Sequence, residues 1–560
     1  MFAFVRSLDY AAAPAIFSDI TTMVGTVTAL VAACTAVSTL LLKLRSRRRR
    51  FRAEQLKASW NVGSAADTTG MFVHNPSPFQ YEDVTLTVYC GAQGRQARQP
   101  LGLLPATSDH LWPSAAVHER IKSGDGRTAV LGTGGSHDSK PHRVQVTFRT
   151  KAGYWSRDEQ RVRRVRSLVI WAERTRAGTL RRYFGHRSAF HKSYPISVTV
   201  ESFDRTEELE HAFTQLAATG EPPRGHEMPD VVAGPHDWIG RVVRDESVVE
   251  LAPDPLLLRD VSPVARAALS RDGWLYAIPY VFDSVALIRN NALASGAMPT
   301  TFAEVVASGT EALRVNGVQD GAEVAVQVGE PDDKGNAGDP YHIWPLFSSL
   351  GGSFFGLRDK GFDDITIWRE SFVDAFVRLG RLGLNPKLSR AEALELFLAG
   401  RAPYLVSSSR ALAAIKDKGL DVTVSTVPAA GELPARPLVS AYGLFIYDGA
   451  PNLSAARDLV TSYLASPRAG LDLNRYQQLV PVQEEAMSAV AEADPVLAPY
   501  VEQCRNGMIM PSYPEMRHAW QLIGRTEYQV LAGDGDPREV AAAAADEGWE
   551  LLREARASDG

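Results

Sequence analysis

The sequence predicts an α/β main body, preceded by a small β domain and a single apolar helix, and three observations carry that expectation. From Ser167 onward, short strand-like and helix-like segments alternate, the pattern of sheets covered by helices. Between residues 58 and 155 the apolar residues recur with period two, the pattern of half-buried strands. Between Asp19 and Lys43 stand 23 residues without a charge, ITTMVGTVTALVAACTAVSTLLL. The expected boundaries are an N-terminal tail (1–19), the apolar helix (20–43), a basic linker (44–57), a β-sandwich domain (58–155), a connector (156–166) and the α/β body (167–556).

The apolar stretch is long enough to cross about 30 Å of hydrocarbon as a helix. Its threonines and serines lower its hydropathy, but their hydroxyls can bond back to helix carbonyls. Arg45, Arg47, Arg48, Arg49, Arg50 and Arg52 follow at once. Short basic flanks stay on the cytoplasmic side, so a single-pass anchor with everything C-terminal inside is expected. Val31-Ala-Ala-Cys34 also has the look of a lipidation site, which would place the rest outside. Lipoprotein signals carry their positive charge before the apolar stretch, whereas here Asp19 precedes it.

Charge divides the chain sharply. Residues 1–57 carry net +6, which leaves −11 for the remainder of a chain whose total is −5. A nucleic-acid binder spreads its basic excess over a folded face, so no nucleic-acid partner is expected. Composition, 45% hydrophobic and 22% charged, supports a folded protein. Cys34, Cys90 and Cys504 lie far apart without a CxxC pair, and neither a metal site nor a cofactor is expected.

In the β domain, Val84, Leu86, Val88 and Cys90 alternate with polar residues, as do Val144, Val146 and Phe148. Arg157–Arg166 is charged enough to serve as a connector. In the body, Leu168–Trp171, Val231–Ala233 and Ala277–Ile288 read as strands. Glu207–Ala218 sets Leu209, Phe213 and Leu216 on one helical face, and Asn452–Ser466 offers Leu459, Val460, Tyr463 and Leu464 at helical spacing.

Several of these segments, in order, resemble the extracytoplasmic solute-binding proteins of sugar transporters, and their maltodextrin-binding branch most closely. They are Leu168-Val-Ile-Trp171, Pro229-Asp230-Val-Val with His236-Asp237, and Tyr276-Ala-Ile-Pro279 through Leu287-Ile288. Asp339-Pro340-Tyr341, Trp344-Pro345-Leu346 and Gly351-Gly352 follow, then Ile509-Met510-Pro511-Ser-Tyr-Pro514-Glu-Met516 before Trp520. The resemblance covers Leu168 to Leu552 and implies two α/β lobes, a periplasmic-binding-protein-like fold, with a small polar ligand held in the cleft between them. It also implies an ABC permease or a signalling protein as partner. Sugar hydroxyls suit carboxylates and amides, and sugar C–H faces suit aromatic rings.

Carried over residue by residue, the resemblance places Asp237 on a sugar-binding aspartate. Asp283 and Asp339 stand where the family has glutamates, Tyr341 on a family tyrosine and Trp520 on a ring that stacks on sugar. Departures are as marked. Gly234, Arg390 and Arg410 replace aromatic residues, Trp238 replaces an arginine, and Glu173-Arg174-Thr175-Arg176 replaces a loop of amides and acids. These argue against a long glucan and for a ligand that is smaller or more anionic, or for a degenerate cleft. The expected ligand-binding set is therefore Asp237, Trp238, Asp283, Asp339, Tyr341, Arg410 and Trp520. No Gly-x-Ser-x-Gly, His-Glu-x-x-His or other catalytic motif is present, so no enzyme is expected. The alternative is a membrane-tethered adaptor whose cleft is vestigial.

Overall fold

A computed structural model describes residues 28, 31–32, 35–40, 43, 50–61, 70–90, 95–113, 143–150, 153–158, 161–185, 196–251, 258–329, 340–353, 365–384, 389–510 and 516–558. The chain divides into two compact units, Met1–Val165 and Arg166–Gly560.

Most of the apolar stretch 20–43, and with it the expected membrane helix, lies outside the described residues. Among the described residues no helix is long and apolar enough to cross a membrane. Within the stretch, Thr28, Val31, Ala32, Thr35–Leu40 and Lys43 are helical. There Thr35 Oγ1 donates to Val31 O and Thr39 Oγ1 to Thr35 O, each at 2.7 Å. The hydroxyls thus take their bonds from the turn before, which is how threonine is carried in an apolar helix.

The first unit is a β-sandwich. Its strands are β1 (Lys57–Asn61), β2 (Gly70–Asn75), β3 (Tyr81–Cys90), β4 (Arg95–Leu104), β5 (Ser108–Pro113), β6 (Arg143–Thr150), β7 (Gly153–Asp158) and β8 (Val162–Arg164). One sheet runs β1-β2-β5 and the other β4-β3-β6-β7-β8. Met71 and Val73 of the first sheet share a core with Val84, Leu86, Val88, Val144, Val146 and Phe148 of the second, the inward half of the period-two pattern.

Two expectations are corrected here. The charged segment 156–166 is not a free connector, because β7 runs to Asp158 and β8 pairs with it through Trp155↔Arg164 and Arg157↔Val162. An edge strand carries charge because its outer face is solvated, which is why the segment read as a linker. The 44–57 linker is likewise not all linker, since Ala53 and Leu56 are fully buried in the sandwich core.

Among the described residues the second unit contains two large sheets, besides a two-stranded ribbon of Ser270–Arg271 and Trp274–Leu275. The first uses β9 (Ser167–Glu173), β10 (Ser197–Phe203), β11 (Val231–Pro235), β12 (Ala277–Asp283), and later in the chain β17 (Leu438–Ile446), β18 (Val480–Pro481) and β19 (Met508–Ile509). The second uses β13 (Val285–Asn290), β14 (Val324–Val326), β15 (Tyr404–Ser408) and β16 (Val422–Ser425). The orders are β10-β9-β11-β17-β12-β18, with β19 beside β17, and β14-β15-β13-β16. Each sheet with its helices forms one lobe.

Helices α1 (Arg174–Phe184), α2 (Thr206–Thr219) and α3 (Ile239–Arg244) belong to the first lobe. The second holds α4 (Phe302–Val315), α5 (Pro340–Ser349) and α6 (Ile365–Leu379). Leu209, Phe213 and Leu216 form the buried stripe of α2. A reciprocal capping box of Thr301 and Glu304 starts α4, satisfying two backbone N–H groups that the first turn leaves open. Helix α7 (Ala498–Asn506) lies behind β13, where Gln503 Nε2 donates to Val285 O at 3.1 Å. Helices α8 (Met516–Ala532) and α9 (Pro537–Ser558) contribute Ala519, Leu522, Ile523, Ala541 and Ala545 to the second-lobe core. Arg369 of α6 holds Asp546 of α9 with two bonds, 2.8 and 2.9 Å.

The chain passes between the lobes at adjacent points. Only Ser284 separates β12 from β13, and its hydroxyl donates to Leu438 O at 3.1 Å, where β17 begins. β19 lies parallel to that start, Leu438↔Met508. Three passages side by side mark the hinge region between the lobes.

Candidate functional site

The site is built where β12 meets the hinge. Strand β12 carries a proline at Pro279, which cannot donate to its neighbour β17. The ladder runs Pro279↔Gly443 and then Val281↔Tyr442, so Tyr280 is an extra, bulged residue. A bulge re-aims the side chains around it. Here it leaves Tyr280, buried, and Asp283, 3% exposed, in the middle of the molecule.

Two arginines meet at Asp283, one from each lobe. Arg176 Nη2, from the first turn of α1, donates to Asp283 Oδ2 at 3.3 Å. Arg410 Nη2, from the turn after β15, lies 3.1 Å from the same oxygen. Arg176 is 1% exposed, and its guanidinium carbon stands 3.2 Å from the ring centroid of Tyr442, a cation–π contact shielded from water. Burial alone pulls the Arg176 pKa down, but the oxygens of Tyr442, Tyr280 and Asp283 raise it further, so it stays charged. Asp283 first of all holds Arg410 charged as well.

Phenols surround the charges. Burial pushes Tyr280 up to about 12 against the pull of Arg176. Burial, then the Asp283 charge, raises Tyr341, in the first turn of α5, well above the phenol range. Behind Asp283 stand Tyr500, whose hydroxyl donates to Ser407 O at 3.0 Å, and the buried free thiol Cys504. Burial and then Asp283 push that thiol far up, so it is an inert packing group.

Among the described residues, several buried polar atoms of this cluster find no hydrogen-bond partner: Arg176 Nε and Nη1, Asp283 Oδ1, Tyr280 Oη and Glu173 Oε2. Glu173 closes β9 and caps α1, its Oε1 accepting from Thr175 N and Oγ1 at 2.9 Å each. Native interiors rarely leave such groups orphaned, and clusters of them mark ligand sites.

A sequence profile of the bacterial extracellular solute-binding proteins matches residues 187–499. The chain belongs to that family. It is also 25% identical, over 349 residues, to a maltotriose-binding protein of Pyrococcus abyssi (strain GE5 / Orsay). That alignment covers 60% of this chain and 71% of the relative. For a solute-binding protein, a polar cluster at the hinge with contributions from both lobes is where a ligand can be felt by both.

Of the expected residues, Asp283, Arg410 and Tyr341 come together in that cluster. Asp339 lies outside the described residues. Trp520, in α8, is partly buried and packs on the second-lobe core. Trp238 is buried with its indole laid over Gly234, so close that a Cβ at Gly234 would meet its Cζ3 at 2.4 Å. The Trp238 ring thus fills, as packing, the space that a side chain at position 234 would need.

Asp237 answers to other charges. Burial, then the neighbouring Glu210 of α2, lifts its carboxyl to about 7, with Arg241 opposing and Glu207 adding to the rise. Its neighbour His236 joins the hinge instead. Ala441 N donates to His236 Nδ1 at 3.2 Å, so Nε2 carries the proton and donates to Met510 O at 2.7 Å. Burial lowers this imidazole to about 4, fixing one neutral tautomer between β11, β17 and the end of β19.

Arg176, Tyr280 and Tyr442 were not legible as site residues. Glu173–Arg176 reads as a polar loop because its N-cap is a glutamate and not one of the usual Ser, Thr, Asp or Asn. The bulge that re-aims Tyr280 leaves only Pro279 as its trace in sequence.

Proposed function

We propose that the chain is a membrane-tethered solute receptor that captures a sugar-type ligand between its lobes, for sensing if the lobes face the cytoplasm and for ABC-type transport if they face outward. The observation that carries this reading is the Arg176–Asp283–Arg410 cluster. It joins the two lobes at the hinge and keeps both donors and acceptors unpartnered in a dry setting. A sugar hydroxyl donates and accepts at once, and a dry site makes each mismatched group costly, which is the basis of selectivity. Family membership and the maltotriose-binding relative support a sugar as the ligand class. Thermal shift and calorimetry of the full-length protein against a panel of sugars test it; a flat response across the panel removes the receptor reading.

Residues 20–43 hold the protein in the membrane, and Arg45–Arg52 keep residues 58–560 on the cytoplasmic side. A protease added to intact cells then leaves the C-terminal units whole. Cleavage there places them outside, with Cys34 or the uncleaved helix as anchor, and restores ordinary solute capture. The adaptor reading draws on a different observation: Asp283 is already held by the protein's own arginines. It is favoured if no sugar binds while a protein partner still co-purifies after Asp283→Asn.

A further inference from the structure

We infer that the ligand is a sugar acid, whose single carboxylate is received by Arg176 and Arg410 while its hydroxyls go to Asp283 and Glu173. This rests on the sugar-receptor reading and deepens it.

Charge is the first argument. Arg176 and Arg410 converge on one carboxylate, Asp283, which leaves an excess of one positive charge. Glu173, a further carboxylate of the cluster, spends Oε1 on the cap of α1 at the positive end of that helix, which offsets part of its charge. Tyr280 and Tyr341 contribute phenols whose pKa burial raises, so they add no negative charge. The excess sits on Arg410, whose side chain is 23% exposed and so can reach a soluble anion.

The unpartnered atoms are the second argument, and they are independent of the first. Arg176 Nε and Nη1 offer two donors, and Arg176 as a whole is 1% exposed. A carboxylate is the acceptor that guanidinium binds best. Asp283 Oδ1 and Glu173 Oε2 are acceptors only and call for hydroxyl donors, while Tyr280 Oη can serve either. One carboxylate plus vicinal hydroxyls satisfies both sets. A phosphate ester, close to two charges, overshoots an excess of one and turns oxygen lone pairs toward Asp283 and Glu173. A neutral sugar leaves the cation unmatched.

The test is calorimetry of the full-length protein in detergent with matched pairs: glucuronate against glucose, trigalacturonate against maltotriose, and glucose 6-phosphate as a third arm. The acid of at least one pair should bind tighter by about tenfold or more, and raising salt should narrow the gap. Arg410→Gln should bring the ratio toward one, whereas Arg410→Lys should keep most of it. The salt dependence needs no variant and stands even where Arg410→Gln fails to fold. Equal or tighter binding of the neutral members overturns this inference and leaves the sugar-receptor reading standing. Tighter binding of glucose 6-phosphate than of glucuronate overturns the carboxylate assignment. Binding by none of them removes both.

Discussion

Removing the carboxylate at the hinge is the most direct perturbation of this molecule. Asp283→Ala leaves Arg176, 1% exposed, as a buried cation without its paired carboxylate, against the Tyr442 ring and with Tyr280 and the helix-capping Glu173 nearby. Breaking a buried pair by deleting one partner costs roughly 3–5 kcal/mol, because the other charge is left uncompensated. Arg410 adds little to that figure, since its side chain is 23% exposed and can turn to water. Replacing both members with apolar groups is close to neutral, so Asp283→Ala combined with Arg176→Met should recover at least half of the loss. The coupling between the two changes should be on the order of 2–3 kcal/mol, at the upper end for groups in contact. Urea unfolding of the four proteins in the cycle measures it, with the transition of the 166–560 unit fitted separately from that of the sandwich. A cost under about 1 kcal/mol for Asp283→Ala, or strict additivity with Arg176→Met, would refute the idea that this pair is buried and charged.

The remaining predictions concern neighbouring features. His236 drops from 6.5 to about 4 on folding, so the unfolded chain binds the proton first and stability falls as pH drops from 6.5 toward 4. Asp237 rises from 3.8 to about 7, so the folded state holds the proton and stability falls as pH rises through the same range. The two slopes oppose, and Asp237→Asn should turn a flat profile into one that climbs by about 3 kcal/mol between pH 4 and 6.5; urea midpoints across that range check it, and an unchanged profile refutes it. Gly234→Ala should cost roughly 1–3 kcal/mol through collision with the Trp238 indole, with most of the loss relieved when Trp238→Leu is added, as thermal unfolding will report. A protein shortened to begin at Arg166 should unfold cooperatively. One that ends at Arg161 should lose solubility, because β7 is then left without β8 beside it; light scattering distinguishes the two.

The strands and helices that follow a regular period were legible in the sequence. Burying one face of an element imposes its own period: two for β3 and β6, and 3.6 for the Leu209–Phe213–Leu216 stripe of α2. The family, too, was legible, because its segments are collinear from Leu168 onward. Tertiary structure decided what the periods do not encode. By its period Ala277–Ile288 reads as strand throughout, and although the resemblance makes it a crossing between lobes, only the structure puts the break between β12 and β13 at Ser284. Leu459–Leu464 reads as ordinary helix, yet it widens to a π turn. Charge made β8 resemble a linker, because an edge strand and a connector expose similar surfaces. Above all, Arg176 and Arg410 lie 234 positions apart in sequence, and no local rule brings them to one oxygen of Asp283. Only the bulge at Tyr280, the cap at Glu173 and the hinge between the lobes do that, since a charge is paired by distance in space and local patterning knows only distance along the chain.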